Sequence, residues 1–305
     1  MIHIKDLKTG LNLFKALSSD IRLQIIELLA EHEHLNLNDL AHKLDLTNGA
    51  ITMHIKKLEE SGLIEIQTAV GKHGIQKICY LNENKLVVEL KSQEKGNNIY
   101  EVDIPVGRYS SYEVKPTCGM ATRDKIIGEF DDPRYFADPQ HIHADIVWLT
   151  EGHFEYRIPN YLKSNQQFEE LQFIMEIGSE APGYCNNWPS DIYFYVNDQE
   201  IGYWTSPGDF GGVRGTFNPD WWPLSLNQYG LLKLIRINKD GSFIDGTKVS
   251  EITLDHIGLD YKSDIKLKIG VPAHAKNPHG LTLFGSHFGN YNQNITARVL
   301  YQQQM

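Results

Sequence analysis

Between residues 18 and 81 the apolar positions keep helical spacing three times in succession and then break into strand-like runs. Few folds satisfy that order. Ser18-Ser19-Asp20 opens a helix, with the Ser19 hydroxyl placed to accept from an unpaired backbone N–H. Ile21, Ile25, Leu28 and Leu29 then form one apolar stripe. A short helix follows, with Asn38 as its expected cap and Leu40, Ala41 and Leu44 facing inward. After the polar turn Asp45-Leu46-Thr47-Asn48, a third helix carries Ile51, Ile55 and Leu58. Two β-prone runs, Leu63 to Val70 and Ile75 to Leu81, are joined by Gly71-Lys72-His73-Gly74. Helix, helix, turn, helix and hairpin predict a winged helix-turn-helix that presents its third helix to a DNA major groove.

The residues themselves resemble the ArsR-type family of bacterial winged-helix repressors over roughly positions 8 to 85. The resemblance rests on Leu17-Ser18, Arg22-Leu23, Leu40-Ala41…Leu44, and Ile51-Thr52…His54-Ile55-Lys56…Leu58…Ser61-Gly62-Leu63-Ile64. It implies a DNA-binding repressor. Metal-responsive members of that family carry a Cys-x-Cys pair before the recognition helix. The corresponding stretch here, Leu35-Asn36-Leu37-Asn38-Asp39-Leu40, has no thiolate, so no metal cofactor is expected. Cys79 falls in the second wing strand, where a small buried hydrophobe is the expected role.

At about 100° per residue, the third helix turns its apolar stripe one way and Gly49, Ala50, Thr52, Met53, Lys56 and Lys57 the other. His54 lies at the flank. Thr47, Asn48 and Thr52 can hydrogen-bond base edges or phosphates, and Met53 suits thymine methyls. Lys56, Lys57, Lys72, His73 and Lys77 are the phosphate candidates.

Charge qualifies that reading. Residues 1–95 hold 12 Lys and Arg against 13 Asp and Glu, leaving 17 against 26 in the rest. A near-neutral module implies modest affinity per protomer, hence a homodimer on two half-sites of duplex DNA. Leu7, Leu11 and Phe14 on the first helix, with a short helix around Leu86 to Leu90, are the expected dimer interface.

The polar stretch 91–98 reads as a linker between a DNA-binding domain over 1–90 and a second domain over 99–305. Beyond the linker, Ile192 to Val196, Leu231 to Ile237, Lys248 to Leu254, Ile265 to Val271 and Asn294 to Leu300 read as strands separated by turn residues. The fold class is therefore multidomain α+β: a winged helix-turn-helix followed by an all-β jelly-roll sandwich. Asp191 to Val196, Asn197-Asp198 and Glu200 to Trp204 form a hairpin with an Asn-Asp turn. A strand ending in Val196-Asn197-Asp198 and running on to Glu200-Ile201-Gly202, before a long Gly-rich loop, is similar to the galactose-binding-like jelly rolls of glycosidases and carbohydrate-binding modules.

Two loops, following Glu180 and Trp204, combine flat aromatic surface with hydrogen-bonding side chains. Trp188, Trp221 and Trp222 supply the first, and Glu180, Asn187, Asp209, Arg214 and Asp220 the second, which suits a sugar or sugar derivative. The competing structural reading makes the tryptophans core residues and pairs Asp209 with Arg214 as a loop-locking ion pair. His141 and His143, one residue apart on a presumed strand, and His153 have the spacing of metal ligands without a matching carboxylate. No nucleophile elbow, P-loop or dinucleotide fingerprint occurs. Three cysteines form no framework, no apolar run is long enough to span a membrane, and no signal-peptide pattern opens the chain. The expected protein is cytoplasmic and not an enzyme: a transcriptional repressor whose sandwich senses a small effector, possibly a sugar. Its alternatives are a carbohydrate-active enzyme with a DNA-binding module, or a sandwich that serves only oligomerisation.

Overall fold

An apolar stripe on a helix is stable only if something covers it, and in the N-terminal third three stripes cover one another. The computed structural model describes residues 2–4, 7–32, 34–71, 74–82, 86–88 and 98–303. The chain divides into two units, Met1–Gly96 and Asn97–Met305.

In the first unit the order is β1 (Ile2–Ile4), α1 (Leu11–Leu17), α2 (Asp20–Glu31), β2 (Leu35–Asn36), α3 (Leu37–Lys43), α4 (Asn48–Glu60), β3 (Ile64–Gly71), β4 (Gly74–Leu81) and β5 (Leu86–Val88). Ile25 and Leu29 of α2, Leu40 of α3 and Ile51, Ile55 and Leu58 of α4 share one core with Cys79 of β4. Each fully buried side chain of this size contributes roughly 1.5–3 kcal/mol. Strand β4 pairs with both β3 and β2, so the wing is anchored to the start of α3.

Local details depart from the sequence expectation. Ser19 is the N-cap of α2, yet its side chain makes no cap bond. The cap of α3 is Asn36, which accepts from Asp39 N–H, and not Asn38, because α3 begins two residues earlier than the apolar pattern suggests. The helix expected at Leu86 to Leu90 is instead β5, paired in parallel with β1, a backbone pairing that local periodicity cannot signal. Leu7 and Leu11 are exposed, whereas Phe14 packs against the core. Lys72, His73 and most of the expected linker lie outside the described residues.

The second unit runs β6 (Asn98–Ile104), β7 (Ser111–Ala121), β8 (Ile146–Ile158), β9 (Gln166–Gly178), β10 (Ser190–Val196), β11 (Gln199–Ser206), β12 (Leu231–Asn238), β13 (Gly241–Ile244), β14 (Thr247–Ser250), α5 (Leu254–Ile257), β15 (Ile265–Val271), β16 (Leu281–Phe284) and β17 (Ile295–Gln303). One layer is β7-β8-β15-β10-β11, the other β6-β17-β9-β12-β13-β14. Short β16 pairs with the first residues of β8 and the last of β9, joining the layers. On the far side the Ser250 hydroxyl of β14 donates to Ile201 O of β11, and the sheet nearly closes on itself. Phe154 and Tyr156 of β8, Phe173 of β9 and Phe194 of β10 fill the space between. This β-rich, nearly closed unit and the winged module make the chain a two-part α+β protein.

The hairpin expected at Asn197-Asp198 forms, with both residues in the left-handed region at φ 48° and 65°, as a type I′ turn requires. Lys248 to Leu254 is not one strand: β14 ends at Ser250 and α5 begins at Leu254, capped by Thr253 and closed by left-handed Gly258. His141 and His143 lie in a 3-10 turn, Pro139–His143, so the alternation expected of a strand does not align them. Among the described residues no cluster of His, Cys, Asp or Glu has the arrangement of a metal site.

Glu176, wholly buried on β9, ties two loops to the sheet, the one before β12 and the one between β16 and β17. Its carboxyl oxygens accept from the backbone N–H groups of Gly230, Asn290 and Tyr291. The fit leaves no room for a side chain at Gly289 (φ 78°), where a Cβ would lie 2.4 Å from Oε2. Glu176→Ala strands three backbone donors, of which those of Gly230 and Asn290 are buried and cost about 1–3 kcal/mol each. Urea unfolding is expected to show a loss of about 2–6 kcal/mol, and Glu176→Gln a smaller one.

Candidate functional site

Helix α4 is capped by Thr47, whose hydroxyl accepts from Ala50 N–H at 3.3 Å. Asn48 Nδ2 donates to Asn38 Oδ1 at 2.9 Å, tying the tip of α4 to α3. Its own Oδ1 therefore stays available as an acceptor. The Thr52 hydroxyl donates to Asn48 O and keeps its lone pairs. Asn48, Gly49, Thr52, Met53, Lys56 and Lys57 are all exposed, while Ile51, Ile55 and Leu58 are buried. Met53 is 68 % exposed and projects from the same face as Thr52 and Lys56.

Three further positions bear on this face. His54 is half-buried, and burial, then Arg22 and Lys57 nearby, hold its imidazole below the usual pKa. Lys57 leans toward α1, beside Asn12 and Lys15. Lys56 makes a loose pair with Glu60 at 3.9 Å, both exposed, which leaves its charge free to meet a phosphate. Lys77 is exposed on β4, opposite Thr68 of β3. Arg22 donates to Ala16 O and Lys15 O and so caps the end of α1, a structural role within the motif. Burial raises the Cys79 thiol to about 11, which keeps it protonated inside the wing.

In the β unit a cavity of about 260 Å³ opens where the two layers meet. Trp148 of β8 and Trp222 stand edge to face at 5.9 Å, and Phe130, 46 % exposed, tilts over Trp148 at the mouth. Glu180, just past β9, forms the polar floor. It accepts from Thr117 Oγ1 (3.2 Å), Asn227 Nδ2 (3.1 Å) and Thr282 Oγ1 (3.0 Å). Asp131, Pro182, Gly183 and Leu226 complete the lining.

Of the eight residues expected from sequence, Glu180 and Trp222 line this cavity. Asp209 is buried and accepts from Ala181 N–H at 3.0 Å. Trp188 stacks on His279 and donates to Glu180 O. Asn187 and Asp220 are exposed, and Trp221 donates to Arg123 O. The proposed Asp209–Arg214 ion pair does not form. Arg214 instead donates to the carbonyls of Pro219, Asp220 and Trp222, because its own loop supplies nearer acceptors. Sequence reasoning passed over Thr117, Phe130, Asp131, Trp148 and Asn227. One signal was available: an aromatic at the tip of the turn Gly128-Glu129-Phe130-Asp131-Asp132-Pro133.

Burial, and for Glu180 also the adjacent Asp209, raise both carboxyl pKa values, that of Asp209 to about 8. A carboxyl whose pKa is higher folded than unfolded stabilises most below the unfolded pKa, and that stability is lost as pH rises through the folded one. The melting temperature of the β unit should therefore fall between pH 4 and pH 8. Asp209→Asn keeps the acceptor for Ala181 and is expected to flatten that fall and melt higher than wild type at pH 8. A variant with unchanged pH dependence would contradict the buried-acid account.

Comparison with known proteins bears on the first unit. Residues 18–65 match the family described as winged helix-turn-helix DNA-binding. An uncharacterised protein of Methanocaldococcus jannaschii is 38 % identical over 88 residues, which are 29 % of this chain and 89 % of that protein. HlyU from Vibrio cholerae N16961 is 25 % identical, covering 25 % of this chain and 76 % of its own, at a TM-score of 0.21. The CBM36-1 domain of a multidomain xylanase from the hindgut metagenome of Trinervitermes trinervoides is 8 % identical, covering 66 % and 96 %, at a TM-score of 0.30. Scores this low do not fix the fold of either unit. The helices, wing and exposed α4 face agree with the matched family, and the N-terminal unit carries a winged helix-turn-helix DNA-binding domain.

Proposed function

We propose that the protein is an effector-responsive transcriptional repressor of the ArsR type, cytoplasmic, binding duplex DNA as a homodimer. The observation that carries this reading is the exposed face of α4, where Met53 projects uncovered between Thr52 and Lys56. Met53 would meet thymine methyls, Asn48 and Thr52 base edges or phosphates, and Lys56 and Lys77 phosphates. No helix among the described residues is long and apolar enough to cross a membrane.

The β unit, in this reading a jelly roll, senses a small neutral polyol such as a monosaccharide. Support comes from the aromatic walls and hydrogen-bonding floor of the cavity. At about 260 Å³ it sits just below the ~300–1,000 Å³ of typical ligand sites, a size for one sugar ring and not a chain. Its role is binding without turnover, since both oxygens of Glu180 are already engaged by Thr117, Asn227 and Thr282.

Two measurements test this. Lys56→Ala combined with Lys77→Ala is expected to weaken binding to all duplex sequences and to reduce the salt slope by about two. An unchanged affinity and slope in gel-shift titration would remove α4 and the wing from the interface. For the cavity, Trp222 is a poor probe, because it is buried and its truncation would cost about 3–5 kcal/mol. Phe130→Ala at the mouth is the cleaner variant. It should abolish the melting-temperature rise given by a binding sugar and leave DNA affinity without ligand intact. If no sugar raises the melting temperature of the wild type, the sensing role fails.

A further inference from the structure

A second cleft lies at the other end of β16, with a volume of about 640 Å³. Its walls are the loop between β6 and β7, the turn after β7, the turn before β8 and the loop after β16. Arg108, Arg123 and Lys125 bring three fixed positive charges to it, and His143 and His287 two imidazoles. Only two carboxylates line it, those of Asp124 and Asp145. Asp145 is already committed: Oδ1 meets His287 Nδ1 at 2.9 Å and Oδ2 accepts from Arg123 N–H at 3.0 Å. Lys125 Nζ donates to Gln140 Oε1 at 2.7 Å. The guanidinium groups of Arg108 and Arg123 have no hydrogen bond or ion pair among the described residues.

Like charges gathered in a concavity repel one another, and the low-dielectric walls focus their field on whatever enters. Here they gather in a chain of net charge −10 without any packing role, since Arg108, Arg123 and Lys125 are exposed. A planar guanidinium without a partner matches two oxygens of a phosphoryl group in a fork. We propose that this cleft binds a small phosphomonoester, with Arg108 and Arg123 forked onto the phosphoryl oxygens and Lys125 beside them. A continuous nucleic-acid backbone fits less well, because Asp124 and Asp145 would face its neighbouring phosphates.

The cleft is also wired to the aromatic cavity. Trp221 Nε1 donates to Arg123 O at 2.6 Å, and the Trp221 ring meets Trp222 edge to face at 5.6 Å. Trp148 and Trp222, which line the aromatic cavity, pack with Ala121, Ile146, Phe284 and Phe288 as one apolar cluster. A phosphomonoester drawn onto Arg123 would thus be felt at Trp222, which gives the site an optical readout in tryptophan fluorescence.

The test is calorimetric titration of the full chain at fixed ionic strength with inorganic phosphate and with glucose 6-phosphate. Both should bind, the ester more tightly because the cleft has room for its organic part. Arg108→Gln with Arg123→Gln should weaken both by about tenfold or more. Lys125→Met gives an independent second variant and should also weaken them. Phe130→Ala should leave phosphate binding unchanged, so failure of the sugar cavity and failure of this cleft are distinguishable. Absence of heat with either probe at millimolar concentration, or equal affinity in wild type and the arginine variant, overturns the proposal. Tight binding of inorganic phosphate with no gain for the ester overturns its assignment to an organic ligand.

Discussion

Two thirteen-residue strands, β8 and β9, carry the β unit, and they are joined through one four-residue partner, β16. Every backbone N–H and C=O in that narrow junction must be paired, and its side chains must fill the wedge between diverging layers. Thr282 faces Trp148 on one side and Gly178 on the other in the strand register, and its hydroxyl reaches Glu180. The aromatic cavity therefore opens where β16 begins, and the basic cleft where it ends. Neither is an addition to the β unit. Both are what remains when two layers separate around a short shared strand.

Polar groups near this junction are handled in two ways. Glu176 is fully buried and met by backbone donors, so it acts as a fixed anchor for two loops. Burial, and for Glu180 also the adjacent Asp209, raises both carboxyl pKa values, so these two groups hold protons that solvent-exposed carboxyls would release. In the winged module the polar groups serve placement. Asn36, Thr47 and the Asn38–Asn48 contact set the angle between α3 and α4, and Arg22 closes α1.

The winged module was legible in the sequence because its signals are local. Ile51, Ile55 and Leu58 announce a buried face of α4 by spacing alone, and the β3–β4 hairpin follows from two runs of β-prone residues. What stayed hidden depends on partners distant in sequence. Strands β7, β8 and β9 carry the β unit, yet Gly152 within β8 has φ 124° and a register shift breaks β7 after Lys115, so simple alternation fails there. The parallel β1–β5 pair has no local signature at all. For the cavity, the loop reading found Glu180 and Trp222. It missed Thr117, Trp148 and Asn227, because these come together only when β7, β8 and the loop before β12 are assembled. Trp221 and Arg214 were chosen for the right residue types, but their polar groups are spent on neighbouring carbonyls.

The central claim is that α4 reads the major groove through its uncovered face, and Met53 allows the most direct test. A duplex selected by the wild-type protein from a random pool would be resynthesised with single thymines replaced by uracil, which removes only the C5 methyl group. At one position in each half-site the replacement, which removes one buried methyl, should weaken wild-type binding by about 0.8 kcal/mol and leave Met53→Ala unaffected. If no thymine shows that dependence, or if wild type and Met53→Ala respond alike at every position, α4 does not present Met53 to the bases and the account is wrong.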